Sequence, residues 1–188
     1  TLEYFDLRNM GPYSPDAWSL IGDASRLAFA DRARYMADSD FVFVPVKELL
    51  NKKYLAERGT LLEIDKALID VRPGIPSDNL ANIYADDESI ELPSTSHISI
   101  IDSYGNALAM TTTIENAFGS RLMTPGGFLL NNELTDFSFK TEKNGLPIAN
   151  RVEPGKRPRS SMSPTIVLKD NKPILVIGST GGSAIIGF

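Results

Sequence analysis

The sequence predicts an α+β fold in which helices come first and an antiparallel sheet follows. Apolar residues recur at three- and four-residue spacing up to about residue 72, which is the helical period. From Ser96 onward the pattern changes to short β-rich runs separated by turn residues. Helices followed by strands, rather than the two alternating, point to α+β and not to a doubly wound parallel sheet.

Ser14-Pro15 starts the first clear helix, with Ser as N-cap and Pro at the first helical position. Ala17, Leu20, Ala24, Leu27, Ala28 and Tyr35 then mark one apolar face, ending near Asp38. Val46 to Glu57, with Leu49, Leu50 and Leu55, predicts a second helix, and Leu61 to Val71 a third. Arg72-Pro73-Gly74-Ile75-Pro76-Ser77 breaks the pattern. Residues 77 to 94, with Asp86-Asp87-Glu88 and no period, read as a mobile acidic linker with a solvated face, and a break falls near 90–95. His97 to Ile101 and Ala107 to Thr113 predict a hairpin around Asp102-Ser103-Tyr104-Gly105-Asn106. Phe128-Leu129-Leu130 follows a Pro-Gly-Gly turn as a third strand. Thr165 to Leu168 and Pro173 to Ile177 flank Asp170-Asn171 as a second hairpin. Both ends are apolar and ragged, which predicts a piece of a longer protein.

Composition narrows the chemistry. The 188 residues are 42% hydrophobic and carry 19 Lys and Arg against 24 Asp and Glu, a profile that excludes a disordered chain. A net charge of -5 argues against nucleic acid as a partner. No run reaches the ~18 apolar residues of a membrane span, and the first residues lack the order of a signal peptide. With no Cys and one His there is no thiol nucleophile and no Cys-ligated zinc. No metal and no cofactor is expected. A Ser-His-Asp triad is a poor fit, and His97, set in strand-like sequence, reads as a satisfied structural side chain. Hydroxyls and carboxylates remain.

Those groups cluster at the ends of the predicted strands: Thr111-Thr112-Thr113, Asn131 to Asp136, Ser160 to Ser163, and Gly178 to Ser183. A site built on the rim of a sheet needs this placement. Each segment alone has a plainer reading. Threonine runs suit strands, Asn131-Asn132 can cap one, Ser160-Ser161 can be a turn, and a lone glycine cluster is weak evidence for anion binding. Asp31-Arg32-Ala33-Arg34 reads as ion pairs along a helix surface.

Read together, the segments from Thr95 to Asp102, Thr111 to Thr113 with Phe118-Gly119-Ser120, Gly127 to Ser138, Pro154 to Thr165, and Gly178 to Gly182 strongly resemble the small-subunit signature of the γ-glutamyltransferase family. Leu27 to Arg32 and Asp40-Phe41-Val42 resemble the end of that family's large subunit. The resemblance implies part of an αββα N-terminal nucleophile hydrolase sandwich. Residues 1–94 would be the C-terminal part of a large subunit and residues 95–188 the N-terminal part of a small one. It implies self-cleavage between Ser94 and Thr95, giving a two-subunit heterodimer in which the freed amine of Thr95 activates its own hydroxyl. An α-amine, which ordinarily titrates at ~7.7–8.0, can do this without a His. The uncut chain would be inactive.

The resemblance also assigns the other roles. Thr113 would hold the nucleophile by a hydrogen bond between hydroxyls, and the Gly181 and Gly182 N–H groups would face the oxyanion. Glu115, Glu133 and Asp136 would meet the substrate α-ammonium, and Ser160 and Ser161 its α-carboxylate. A substrate-binding Arg would lie in sequence preceding residue 1. The implied partners are a small γ-glutamyl substrate such as glutathione and an acceptor amino acid, peptide or water, in a periplasmic or secreted setting. Two positions depart from the familiar pattern: Glu115 stands where glutathione-processing members have Asn, and Thr180 where Pro is common. The stretch from Phe139 to Val152 is modest in length for a well-developed lid. A glutaryl acylase acting on β-lactam side chains and a non-catalytic homologue are the alternatives.

Overall fold

The computed structural model describes residues 1–89 and 94–187. Four helices come first: α1 (Leu7–Met10), α2 (Pro15–Tyr35), α3 (Val46–Leu49) and α4 (Lys52–Gly59). Six strands follow: β1 (Ser96–Ile101), β2 (Ala107–Thr112), β3 (Glu142–Lys143), β4 (Leu146–Pro147), β5 (Thr165–Lys169) and β6 (Lys172–Ile177). The strands pair as three separate two-stranded antiparallel hairpins rather than the one continuous sheet expected, and the α+β class holds. The chain divides into two compact units. One contains 1–88 with 140–157, and the other 89–139 with 158–188.

The first unit is built on α2. Ser14 Oγ accepts the N–H of Ala17, and Pro15 opens the helix as predicted. Leu20, Ala24 and Leu27 bury one face against Leu62, with Phe5, Met10 and Val71 at the margin. A second cluster joins Tyr35, Tyr84 and Ala149. Ala28, expected on the same face, is exposed, and the helix stops at Tyr35 rather than near Asp38.

Three other expectations fail here for identifiable reasons. The predicted helix over 46–57 is two helices, because the Asn51 side chain accepts the N–H groups of Lys53 and Tyr54 and starts a new one. Leu61 to Val71 is not helical: Asp23 on α2 takes the Leu68 N–H at 2.7 Å and Arg26 donates to the Leu68 carbonyl at 2.6 Å. Side chains of α2 thus satisfy backbone groups that a helix would have paired internally. The acidic stretch is not a solvated linker where it is described. Asp86 pairs with Arg34 at 2.6 Å, Glu88 with Lys143, and Asp87 is buried and accepts from Asn150. Residues 90–93 of that predicted linker lie outside the described residues. Likewise Asp31 and Arg34 do not lace the surface of α2 but reach Arg58 and Asp86.

Residues 139–152, read as modest in length for a well-developed lid, supply a small hairpin that the sequence pattern does not predict. Asn144 and Gly145 turn it with positive φ, and Ile148, Ala149 and Asn150 beyond it are almost fully buried.

In the second unit both principal hairpins form where predicted. Asp102 holds the first turn by accepting the N–H groups of Tyr104 and Asn106. Asn106 also donates from its side chain, and these bonds draw the Asp102 carboxyl below its ordinary pKa. Asp170 and Asn171 both take positive φ, at 50° and 60°, closing the second as a two-residue turn. Phe128 to Leu130 does not form a strand. A single bridge joins Met123 and Leu129, and positive φ at Gly119 and Arg121 breaks the ladder on its partner side.

Candidate active site

The register of the first hairpin brings the two principal threonines together. Ser96 pairs with Thr112 at the end of the β1–β2 ladder, so Thr95 and Thr113 face each other one step beyond it. Thr95 Oγ1 donates to the Ser94 carbonyl at 2.6 Å, and Thr113 Oγ1 donates to that same oxygen at 2.9 Å. Two hydroxyls therefore converge on the carbonyl of the Ser94–Thr95 peptide bond, where the resemblance implied a bond from one hydroxyl to the other.

Around them lies a small cleft of about 30 Å³, wholly within the second unit. Its lining includes Thr95, Thr113, Glu115, Glu133, Asp136, Ser160, Ser161 and Gly182. Eight of the nine residues singled out from sequence therefore share one surface. The ninth, Gly181, immediately precedes Gly182 and does not itself line the cleft. Ser94, Arg159, Met162 and Ile185 complete the lining; the sequence does not single them out as site residues, although Arg159 and Met162 flank Ser160-Ser161.

The carboxylates come from two separate turns. Leaving β2, the chain enters positive φ at Glu115, whose N–H donates to Thr113 Oγ1 at 2.9 Å. Glu115 is only 4% exposed, and its Oε2 accepts from the side-chain amide of Asn132. Glu133 and Asp136 lie on one 3₁₀ turn, Glu133–Asp136, started by Asn131 Oδ1 accepting the Glu133 N–H at 3.0 Å. Glu133 Oε1 is buried and has no hydrogen-bond partner among the described residues. A buried carboxylate oxygen in that state is costly unless a ligand with N–H donors meets it.

On the other side Ser161 is buried and Ser160 exposed, with Ser160 Oγ accepting the Met162 N–H at 3.2 Å. Gly181 and Gly182 have φ of 124° and 62°, a backbone that L side chains rarely adopt. His97 is engaged at both ring nitrogens, with Thr111 Oγ1 at 2.7 Å and Ser99 Oγ at 2.9 Å. Its ring fills the space a Cβ at Gly178 would need, which accords with the structural role expected of it. Among the described residues no cluster of three or more His, Asp and Glu could hold a metal, and no helix is long and apolar enough to cross a membrane.

The family described as Gamma-glutamyltranspeptidase matches over residues 1–188. Curated relatives include a glutathione hydrolase proenzyme of Bacillus subtilis, 40% identical over 98% of the chain and 32% of its own length. Another is the glutathione hydrolase proenzyme of Escherichia coli, 42% identical over 98% of the chain and 31% of its own length. The chain thus spans about a third of the length of these relatives. Among solved structures, a cephalosporin acylase from Bacillus halodurans is similar over 87% of the chain and 26% of its own, at 25% identity and a TM-score of 0.65. That likeness bears out the N-terminal nucleophile hydrolase fold class.

Proposed function

The chain belongs to the gamma-glutamyltranspeptidase family, and on that premise we propose that it carries the processing site and most of the acyl-transfer site of a γ-glutamyltransferase or glutathione hydrolase. The observation that carries this reading is the convergence of Thr95 and Thr113 on the Ser94 carbonyl, beside a carboxylate-rich cleft.

Cleavage comes first. Thr95 Oγ attacks the Ser94 carbonyl carbon, the Thr113 hydroxyl stabilises the developing oxyanion, and the hydroxyl proton passes to the departing Thr95 nitrogen. The C–N bond breaks to leave an ester, and water hydrolyses it, freeing a Ser94 carboxylate and the Thr95 amine. While the bond is intact, Thr95 nitrogen is an amide with no basic lone pair, so the uncut chain is inactive. After cleavage residues 95 onward form part of a small subunit that stays associated with the large one.

Turnover then runs in two halves. The Thr95 amine takes the hydroxyl proton, Oγ attacks the γ-carbonyl of glutathione or another γ-glutamyl amide, and Gly181 and Gly182 N–H groups stabilise the oxyanion. The amine product leaves with a proton, and water or an acceptor amine takes the γ-glutamyl group from the Thr95 ester. Glu133 and Asp136 suit the α-ammonium by charge, and the unpartnered Glu133 oxygen supports that role. Ser160 and Ser161 suit the α-carboxylate as neutral donors.

An acylase acting on glutaryl amides is the second reading, favoured by the likeness to the cephalosporin acylase. A glutaryl group lacks the α-ammonium that the Glu133 and Asp136 carboxylates suit by charge. The test is intact mass and turnover of the full-length protein with Thr95 or with Thr95→Ala. Two fragments cut at Ser94–Thr95 and faster use of a γ-glutamyl anilide than of a glutaryl amide are expected for the wild type. Neither cleavage nor turnover is expected for Thr95→Ala. An uncut wild type with normal turnover overturns the assignment of Thr95.

A further inference from the structure

Asn132 reads from sequence as a strand cap. In the structure it joins the two turns that carry the site's carboxylates. Its Oδ1 accepts the Asn116 N–H at 3.0 Å, and its own N–H donates to the Ile114 carbonyl at 3.2 Å. Its Nδ2 donates to Glu115 Oε2 and to Thr135 Oγ1, the latter at 3.2 Å. The first three partners lie on the segment leaving β2, and the last on the turn that presents Glu133 and Asp136. Glu115 itself is buried at positive φ, where a charged side chain needs a donor.

Only an amide fits this position. A carboxamide accepts from one backbone N–H and donates to a carboxylate with the same side chain. A carboxylate at 132 would still accept from Asn116 but would set two negative groups against each other. An apolar side chain would do neither.

We propose that Asn132 is a positioning residue: its amide orients the Glu115 carboxylate in the cleft and ties it to the Glu133–Asp136 turn, so that the Asn132–Glu115 pair sets how tightly the α-amino end of a γ-glutamyl donor is held. The assignment rests on the γ-glutamyl reading given above. The pair also explains how Glu115 can stand in place of an asparagine, since its charge is met by a donor from within the same unit.

The test is an exchange of the two groups in the full-length protein, measured with a γ-glutamyl anilide and with intact mass as the record of cleavage. Asn132→Asp raises the donor KM about tenfold or more while kcat stays within about threefold. Combining it with Glu115→Gln restores an amide–carboxylate bond of reversed direction and lowers KM at least about threefold from that of Asn132→Asp, short of the wild-type value because the Glu115 charge is gone. A wild-type KM in Asn132→Asp overturns the assignment, as does a double variant no better than the single. If Asn132→Asp is not cleaved at Ser94–Thr95, recovery of cleavage in the double variant supports the pairing and continued failure overturns it. A wild type that does not turn over the γ-glutamyl anilide overturns the γ-glutamyl reading itself, an outcome distinct from any difference among variants.

Discussion

Thr113 Oγ1 donates to the carbonyl oxygen of Ser94 at 2.9 Å while accepting the Glu115 N–H at the same distance. The second bond orients the hydroxyl, leaving its proton for the Ser94 carbonyl. If that proton stabilises the oxyanion of cleavage, Thr113→Ala slows processing by about 10²-fold, the typical loss for one such donor. Thr113→Ser keeps the donor and should process within about tenfold of wild type. A time course of intact mass after expression of the full-length protein reads both rates. Equal processing in Thr113→Ala would remove Thr113 from the reaction.

Gly181 and Gly182 allow a second check. Their φ values of 124° and 62° make any side chain there strained, at about 1–3 kcal/mol per residue. Gly182→Ala should therefore re-aim the local N–H groups and lower kcat by about tenfold or more on the γ-glutamyl anilide. Processing at Ser94–Thr95 should continue, because Thr113 rather than the glycine loop meets the Ser94 carbonyl. Loss of processing together with kcat would show that one oxyanion site serves both reactions.

What could be read from sequence alone divides along physical lines. The α2 cap at Ser14-Pro15 and the hairpin turns at 102–106 and 170–171 were legible because a few adjacent residues determine them. The candidate site residues could be picked out because their motifs occur in a recognisable order; eight of the nine line one cleft, and the β1–β2 register explains why Thr95 and Thr113 meet. Some errors are local, such as the Asn51 cap that splits the helix predicted over 46–57, but the larger ones depend on distant partners. Asp23 and Arg26 unwind the predicted helix at Leu68 from more than 40 positions away, and Arg34 and Asn150 turn an acidic linker into packed chain. Asn132 was hidden for the same reason, since an asparagine before an acidic turn is ordinary until Asn116 and Glu115 are seen beside it.

The buried network around Asp31 should control the stability of the first unit. Asp31 accepts from Tyr54 at 2.7 Å, Arg58 at 3.2 Å and the Gly74 N–H at 2.7 Å, while Arg58 also donates to the Leu27 and Arg72 carbonyls. Burial, reinforced by Asp31, pushes the Tyr54 phenol well above its ordinary pKa. Asp31→Ala leaves the buried Arg58 guanidinium without its counter-charge and should cost about 3–5 kcal/mol. Tyr54→Phe should cost only about 1 kcal/mol, as one hydrogen bond is lost. Chemical denaturation measures both. A further sign follows from the phenol: the unfolded chain ionises at ~10 while the folded one stays protonated, so stability falls as pH rises above that value.

At acid pH the controlling group is Asp38. Arg157 approaches it with Nε at 3.0 Å and Nη2 at 2.7 Å, and its backbone N–H donates at 2.9 Å. These bonds hold the carboxyl well below the usual carboxylate range, the side-chain pair with Arg157 contributing most. Because the folded pKa is depressed, the unfolded chain takes up this proton first as pH falls. The stabilisation is therefore fully present above the ordinary aspartate pKa of ~3.9 and is lost as pH drops below it toward the folded value. Asp38→Asn should lower the melting temperature at pH 7 and flatten its decline between about pH 4 and pH 2. Arg157→Ala should do the same to a smaller degree, because the residue 157 N–H still reaches the carboxylate. Melting curves at several pH values, taken at low and high salt, decide the matter: a decline in Asp38→Asn as steep as in the wild type would mean that another carboxylate governs acid unfolding.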